Sequence, residues 1–220
     1  MPTVDTAAAR VTGSLRQRVL TGELKPGEPL SQSRVAAEYG VSRIPARDAL
    51  QTLAAEGLVD LGAFTAVVRG TSIAELQELY ELREAVEPLL TRLAVPNVGR
   101  AEIAMMTSLL DEMASHPSAI DWLSANARFH ALIYMRADRV RMIELTTQLR
   151  RLTDRYLYLH VDMFGDTGRL DVEHRLILEA AKAGDPAEVA ELTRRHIAAS
   201  HDFLLRHMLR EPAPQEPAPR

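Results

Sequence analysis

No cysteine occurs among the 220 residues, which excludes disulfides and thiolate metal sites, so any metal must be held by nitrogen and oxygen. No apolar run approaches the roughly 20 residues that a membrane-spanning helix needs. Met1 to Arg10 also lacks the basic-then-apolar layout of a secretory signal, and the sequence reads as that of a cytoplasmic protein with no membrane partner. An excess of positive charge is missing as well. The net charge is −4, and duplex DNA is bound in proportion to the phosphates that Lys and Arg neutralise, so the total argues at first against nucleic acid. Counting the two parts separately weakens that exclusion. Residues 1–70 hold eight Lys/Arg against seven Asp/Glu, a sum of +1, which leaves 18 against 23, or −5, for the remainder. A near-neutral head on an acidic body is compatible with DNA binding by the head alone.

What is present is the composition of a folded protein, 46% apolar and 25% charged, with the length of one large or two ordinary domains. Val11, Leu15, Val19 and Leu20 share one helical face and predict a helix from about Thr6 to Thr21, stopped by Gly22 and Pro26-Gly27. A short helix follows from Ser31, its N-cap, to about Tyr39, and Gly40 ends it. Ser42 then reads as the N-cap of a helix to about Glu56, with Pro45 tolerated in its first turn. Two short helices joined at a glycine predict helix-turn-helix. Leu58 to Leu61 and Phe64 to Val68, around Gly62, predict a wing-like hairpin. From Ser72 onward every segment is helical, at about 72–95, 99–115, 118–136, 138–163, 168–183 and 186–209. Pro88 is expected to kink the first of these. Pro96, Pro117 and the Gly184-Asp185-Pro186 turn separate others, with Asp185 as N-cap and Pro186 at the first helical position. Residues 211–220, of Glu-Pro-Ala-Pro type, are expected to be a disordered tail. The fold class is thus mainly α: a winged helix-turn-helix over 1–70, then an all-α antiparallel bundle over 71–210.

The stretch from Leu30 to Val59 reads LSQSRVAAEYGVSRIPARDALQTLAAEGLV. Its order of leucine-led helix, glycine, VSR turn, proline, Arg-Asp-Ala-Leu and closing Glu-Gly-Leu-Val resembles the winged helix-turn-helix of the GntR family of transcription regulators. Arg43 and Arg47, four apart, share one face at the N-terminal end of the recognition helix, where base edges of the major groove are met. An arginine takes both acceptors of a guanine edge, and Ser42 with the free amides of that terminus suits a phosphate. Arg34 completes the DNA-binding candidates, though it stands one position later than the family's usual arginine, after Gln32-Ser33. The opposite face, Ala46, Ala49, Leu50 and Leu53, is expected to pack inward. The wing segment Gly62 to Thr65 carries no basic residue.

Glu78 to Pro88, Asn126-Ala127-Arg128-Phe129-His130, Glu173-His174-Arg175 and Arg195-His196-Ile197 resemble the FCD domain, the effector domain of the FadR-like branch of these regulators. Asn126 and His130 are four apart on one helical face. His174 and His196 flank the Gly184 turn at about equal distances, so an antiparallel helix pair brings them level, a geometry open to a bundle-core metal site. The resemblance implies a divalent metal held by Asn126, His130, His174 and His196: zinc, with nickel, iron or manganese as alternatives. Asn126 is neutral where an acid is frequent, so an anionic effector supplies missing charge. That points to a small carboxylate, with Arg83 as bidentate anchor and Tyr134 as a further contact. The bland alternative for Arg83 is a helix-surface pair with Glu87, and His201 and His207 read as surface residues.

Together these readings describe a non-enzymatic regulator, a repressor acting as a homodimer on a near-palindromic operator and controlled by a carboxylate metabolite beside the metal. Two rivals remain open at this level. A metal-free acyl-CoA sensor has no use for the three histidines, and a metal-dependent hydrolase, with Glu173 as base, has no use for the head.

Overall fold

The protein is described by a computed structural model over residues 6–115, 118–164 and 167–210. The expected tail at 211–220 and the expected break at Pro117 lie outside the described residues. The chain divides into two compact units, residues 1–71 with 150–159, and residues 72–149 with 160–220.

The first unit begins with α1 (Ala7–Leu20), capped by the Thr6 side chain, which accepts from the Ala9 amide at 3.1 Å. Helices α2 (Gln32–Glu38) and α3 (Arg43–Ala55) follow, separated by Gly40 at φ 62°, a conformation that glycine adopts without strain. Ser31 caps α2 as its sequence predicts, accepting from the Arg34 amide. Val11 and Leu15 of α1 are buried, as are Ala46, Ala49, Leu50 and Leu53 of α3, and these faces bring α3 against α1 and α2. Burying each such leucine stabilises the unit by roughly 1.5–3 kcal/mol. Arg16 clamps the far end of α3, donating to both carboxylate oxygens of Glu56 at 2.8 and 2.6 Å.

The wing is a three-stranded antiparallel sheet rather than a lone hairpin. Strands β2 (Val59–Leu61) and β3 (Thr65–Val68) pair as expected, and β1 (Pro29–Ser31) adds to the other side of β3, pairing Leu30 with Ala66. The central residues of α7 (Val140–Phe164) belong to the same unit: the Arg155 guanidinium donates to the Gly57 carbonyl at 3.0 Å. Gly57 has φ 70°, a backbone conformation that favours glycine, and a Cβ there would push the Leu152 side chain aside.

The second unit is all-helical: α4 (Ile73–Ala94), a short 3-10 turn at Val95–Asn97, α5 (Arg100–Ala114), α6 (Ala119–Tyr134), the ends of α7, α8 (Gly168–Ala183) and α9 (Pro186–Arg210). Helix α4 continues through Pro88 and packs along α9, while α5 lies on α6 and α8. Gly184 closes α8 in the left-handed conformation, and Asp185 accepts from the amides of Ala187 and Glu188, so the expected turn and cap are both formed. No helix among the described residues is long and apolar enough to cross a membrane.

Candidate functional site

In the head, the exposed edge of α3 carries Arg43 and Arg47 outward while its other face is buried. Arg43 has no ion-pair partner among the described residues. Arg47 reaches only the neighbouring Asp48, at 3.8 Å, and both side chains stay about half exposed. Ser42 sits at the N-cap of α3, as expected, and its side chain makes no capping hydrogen bond. Arg34 is half exposed and already pairs with Glu28 at 3.2 Å. The wing tip is apolar, with Phe64 79% and Leu61 51% exposed, and its acid, Asp60, lies 3.4 Å from Arg69.

The second unit brings the three candidate histidines together from three helices: His130 on α6, His174 on α8 and His196 on α9. All are buried, and one ring nitrogen from each lies within 4.8 Å of the others. Nε2 of His130 and Nε2 of His174 are 3.2 Å apart. Two nitrogens on a tetrahedral ion at ~2.0–2.1 Å stand roughly 3.3 Å apart, so the spacing suits a shared metal. Asn126, one turn before His130, is buried with an Oδ1 that has no hydrogen-bond partner. An orphaned buried carbonyl costs free energy unless something electrophilic meets it, which is the condition of a metal ligand. Phe129 and Trp122 wall the cluster, with ring centroids 5.0 and 6.1 Å from that of His174.

Two carboxylates surround this cluster. Glu173 Oε2 lies 2.7 Å from His196 Nδ1, which assigns the ring proton to Nδ1 and makes Nε2 the lone-pair nitrogen. Arg169 holds the other Glu173 oxygen at 2.9 Å. Glu87 is fully buried. It accepts from Arg83 Nε at 2.7 Å and from the Tyr134 hydroxyl at 2.5 Å, and that hydroxyl is 3.5 Å from His130 Nδ1. Arg83 and Glu87 therefore form a buried ion pair, not the surface pair weighed from their spacing. Burial pushes the Arg83 guanidinium down, but the Glu87 charge and hydrogen bond outweigh it, and its pKa is raised.

In the sequence Glu173 reads only as a conceivable base and Glu87 only as a surface partner of Arg83. An acid beside a candidate ligand His, and an acid on the Arg83 face, were the signals available. His201 is also not a plain surface residue, since it stacks on Tyr80 with centroids 5.0 Å apart and lies 3.6 Å from Glu84. An open groove of about 360 Å³ runs elsewhere, over α5 and α6, lined by Met105, Leu109, Arg128 and Met135. Its two arginines are paired with Glu112 and Glu102, and it contains none of the histidines.

Comparison with known proteins agrees with this division. Residues 7–62 match the family described as bacterial regulatory proteins, gntR family, and residues 78–199 match the FCD domain. The gluconate operon transcriptional repressor of Bacillus licheniformis is 27% identical over 184 residues, covering 80% of this chain and 76% of that protein. The repressor GlaR of Escherichia coli is 27% identical over 198 residues, covering 83% and 89%. Among solved structures, E. coli McbR/YncC has the same fold, with a TM-score of 0.74 at 22% identity over 92% of this chain and 99% of that one. A gntR-type head joined to an FCD domain belongs to regulators and not to enzymes, and the chain is accordingly a member of the gntR family of DNA-binding transcription regulators, in the branch that carries an FCD effector domain.

Proposed function

We propose that the chain is a cytoplasmic repressor whose grip on a near-palindromic operator is set by a small carboxylate bound beside a divalent metal in the second unit. The convergence of His130, His174 and His196 around one point, with the orphaned Asn126 Oδ1, carries this reading. Asn126, His130, His174 and His196 hold the ion, for which zinc is the first assignment and nickel, iron or manganese the alternatives. When bound, the metal supplies a Lewis-acidic anchor for an anionic ligand.

Charge bookkeeping favours such a ligand. The four ligands are neutral, the Glu87 charge is matched by Arg83, and the Glu173 charge is shared between His196 and Arg169. A divalent ion is left with most of its positive charge uncompensated in a buried site, which a carboxylate offsets. Arg83 and Tyr134 flank that ligand through Glu87 and His130. In the head, Arg43 and Arg47 read base edges, while Ser42 and Arg34 hold phosphates. Twofold association of two chains presents two such helices to two half-sites. The relatives named as repressors support the sign of regulation.

Metal analysis of the purified wild type and of His130→Ala, with thermal unfolding in a panel of small carboxylic acids, tests the reading. Stoichiometric metal lost in the variant, and stabilisation by an acid in the wild type alone, are expected. Wild-type protein that takes up no metal under any loading condition contradicts it.

A further inference from the structure

The first turn of α3 exposes an apolar side chain between the two arginines. Ile44 is 65% exposed, while the other aliphatic residues that anchor α3, Ala46, Ala49, Leu50 and Leu53, are buried. A lone exposed isoleucine is ordinary on a protein surface. The position of this one is what matters. It follows Arg43 directly, stands one turn before Arg47, and lies at the N-terminal end of the recognition helix, the part of a helix-turn-helix that enters the major groove. A β-branched residue there gains nothing in helix propensity and contributes little to the core. Its methyl groups leave water only if something apolar meets them.

The major groove offers one such group. Of the four bases only thymine presents a methyl there, whereas guanine presents the paired acceptors that arginine takes. The sequence Arg43-Ile44 followed by Arg47 thus sets one apolar prong among cationic ones. We infer that Ile44 is a specificity-determining contact that packs on the 5-methyl group of a thymine in the operator half-site. This rests on the proposal that α3 reads the major groove.

The test uses full-length protein and an operator selected from random duplexes. Each thymine of one half-site is replaced in turn by deoxyuridine, which removes the methyl and preserves pairing. At one position the wild type is expected to lose about fourfold in affinity, the equivalent of one buried methyl-sized group. Ile44→Ala is expected to bind the thymine duplex more weakly by a similar factor and to be indifferent to deoxyuridine at that position. Its fold is not at risk, because the side chain is exposed and alanine is the better helix former. Equal wild-type affinity for every deoxyuridine duplex overturns the inference, as does an Ile44→Ala variant that keeps the wild-type penalty. Arg47→Ala separates the two levels. If it weakens operator binding while the methyl makes no difference, only the Ile44 contact falls; if neither the wild type nor any variant selects a sequence, the reading of α3 itself has failed, and the contact with it.

Discussion

Arg47 and Arg83 carry the same guanidinium into opposite surroundings. Arg47 stands half exposed on α3 with one loose contact, to Asp48 at 3.8 Å, whereas Arg83 is buried on α4 and bound to a fully buried Glu87 at 2.7 Å. The first is available to an anion from outside. The charge of the second is already matched within the fold by Glu87. The contrast extends to the two units: the head keeps its chemistry on the surface for a large polyanion, and the bundle keeps its chemistry inside for a small ligand.

The Arg83–Glu87 pair is where a substitution is expected to cost the most. Glu87→Ala leaves Arg83 charged and buried without its partner and is expected to cost ~3–5 kcal/mol of stability in chemical denaturation. The double variant Arg83→Met, Glu87→Leu, which removes both charges, is expected to recover most of that loss. A Glu87→Ala protein as stable as the wild type breaks the description of the pair. Next comes Glu173. Its carboxylate holds His196 through Nδ1, so if His196 ligates the proposed metal, Glu173→Gln is expected to weaken metal affinity roughly 10- to 100-fold while leaving stoichiometry at saturation unchanged. Competition with a metal-binding dye reads that shift, and unaltered affinity sinks the assignment.

On the other side of the comparison, Arg47→Ala is expected to cost ~1–3 kcal/mol of operator binding with thermal unfolding unchanged, since the side chain is exposed and weakly paired. A matching loss of stability would make it a structural residue. The smallest effect is electrostatic. Hydrogen bonds from Arg194 and Arg195 hold the Glu191 carboxyl down at about 2. A depressed carboxyl contributes stability above its unfolded value, ~4.3, and loses it as pH falls towards the folded one. Glu191→Gln is therefore expected to flatten the acid limb of the stability profile between about pH 4 and 2. A slope identical to that of the wild type contradicts the shift.

Much of the fold can be read in the sequence, wherever the deciding chemistry is local. Local chemistry announces itself: Gly40 between α2 and α3, Ser31 at its cap, and the Gly184-Asp185-Pro186 turn each act within a few residues. The motif around Arg43 and Arg47 and the His-bearing motifs located both candidate sites. What stayed hidden depends on partners distant in the chain. Strand β1 has three residues and no alternation to read, and it exists because β3, 36 positions away at Leu30 and Ala66, pairs with it. Glu173 and His196 are 23 residues apart, and the contact of Tyr134 with Glu87 spans 47. An Arg-Glu pair at i,i+4 looks the same on a surface and in a core, so the spacing of Arg83 and Glu87 held no information about their burial.

If ligand binding in the second unit governs the head, as proposed, operator affinity records that coupling. Binding of the selected duplex is to be followed for metal-free protein, metal-loaded protein, and metal-loaded protein with the carboxylic acid that raises its thermal stability, in the wild type and in His130→Ala. A change of about 5- to 150-fold on adding the acid to the loaded wild type, absent from the variant, is the result expected of coupled sites. Operator affinity that is the same in all three states shows that the two sites are not coupled.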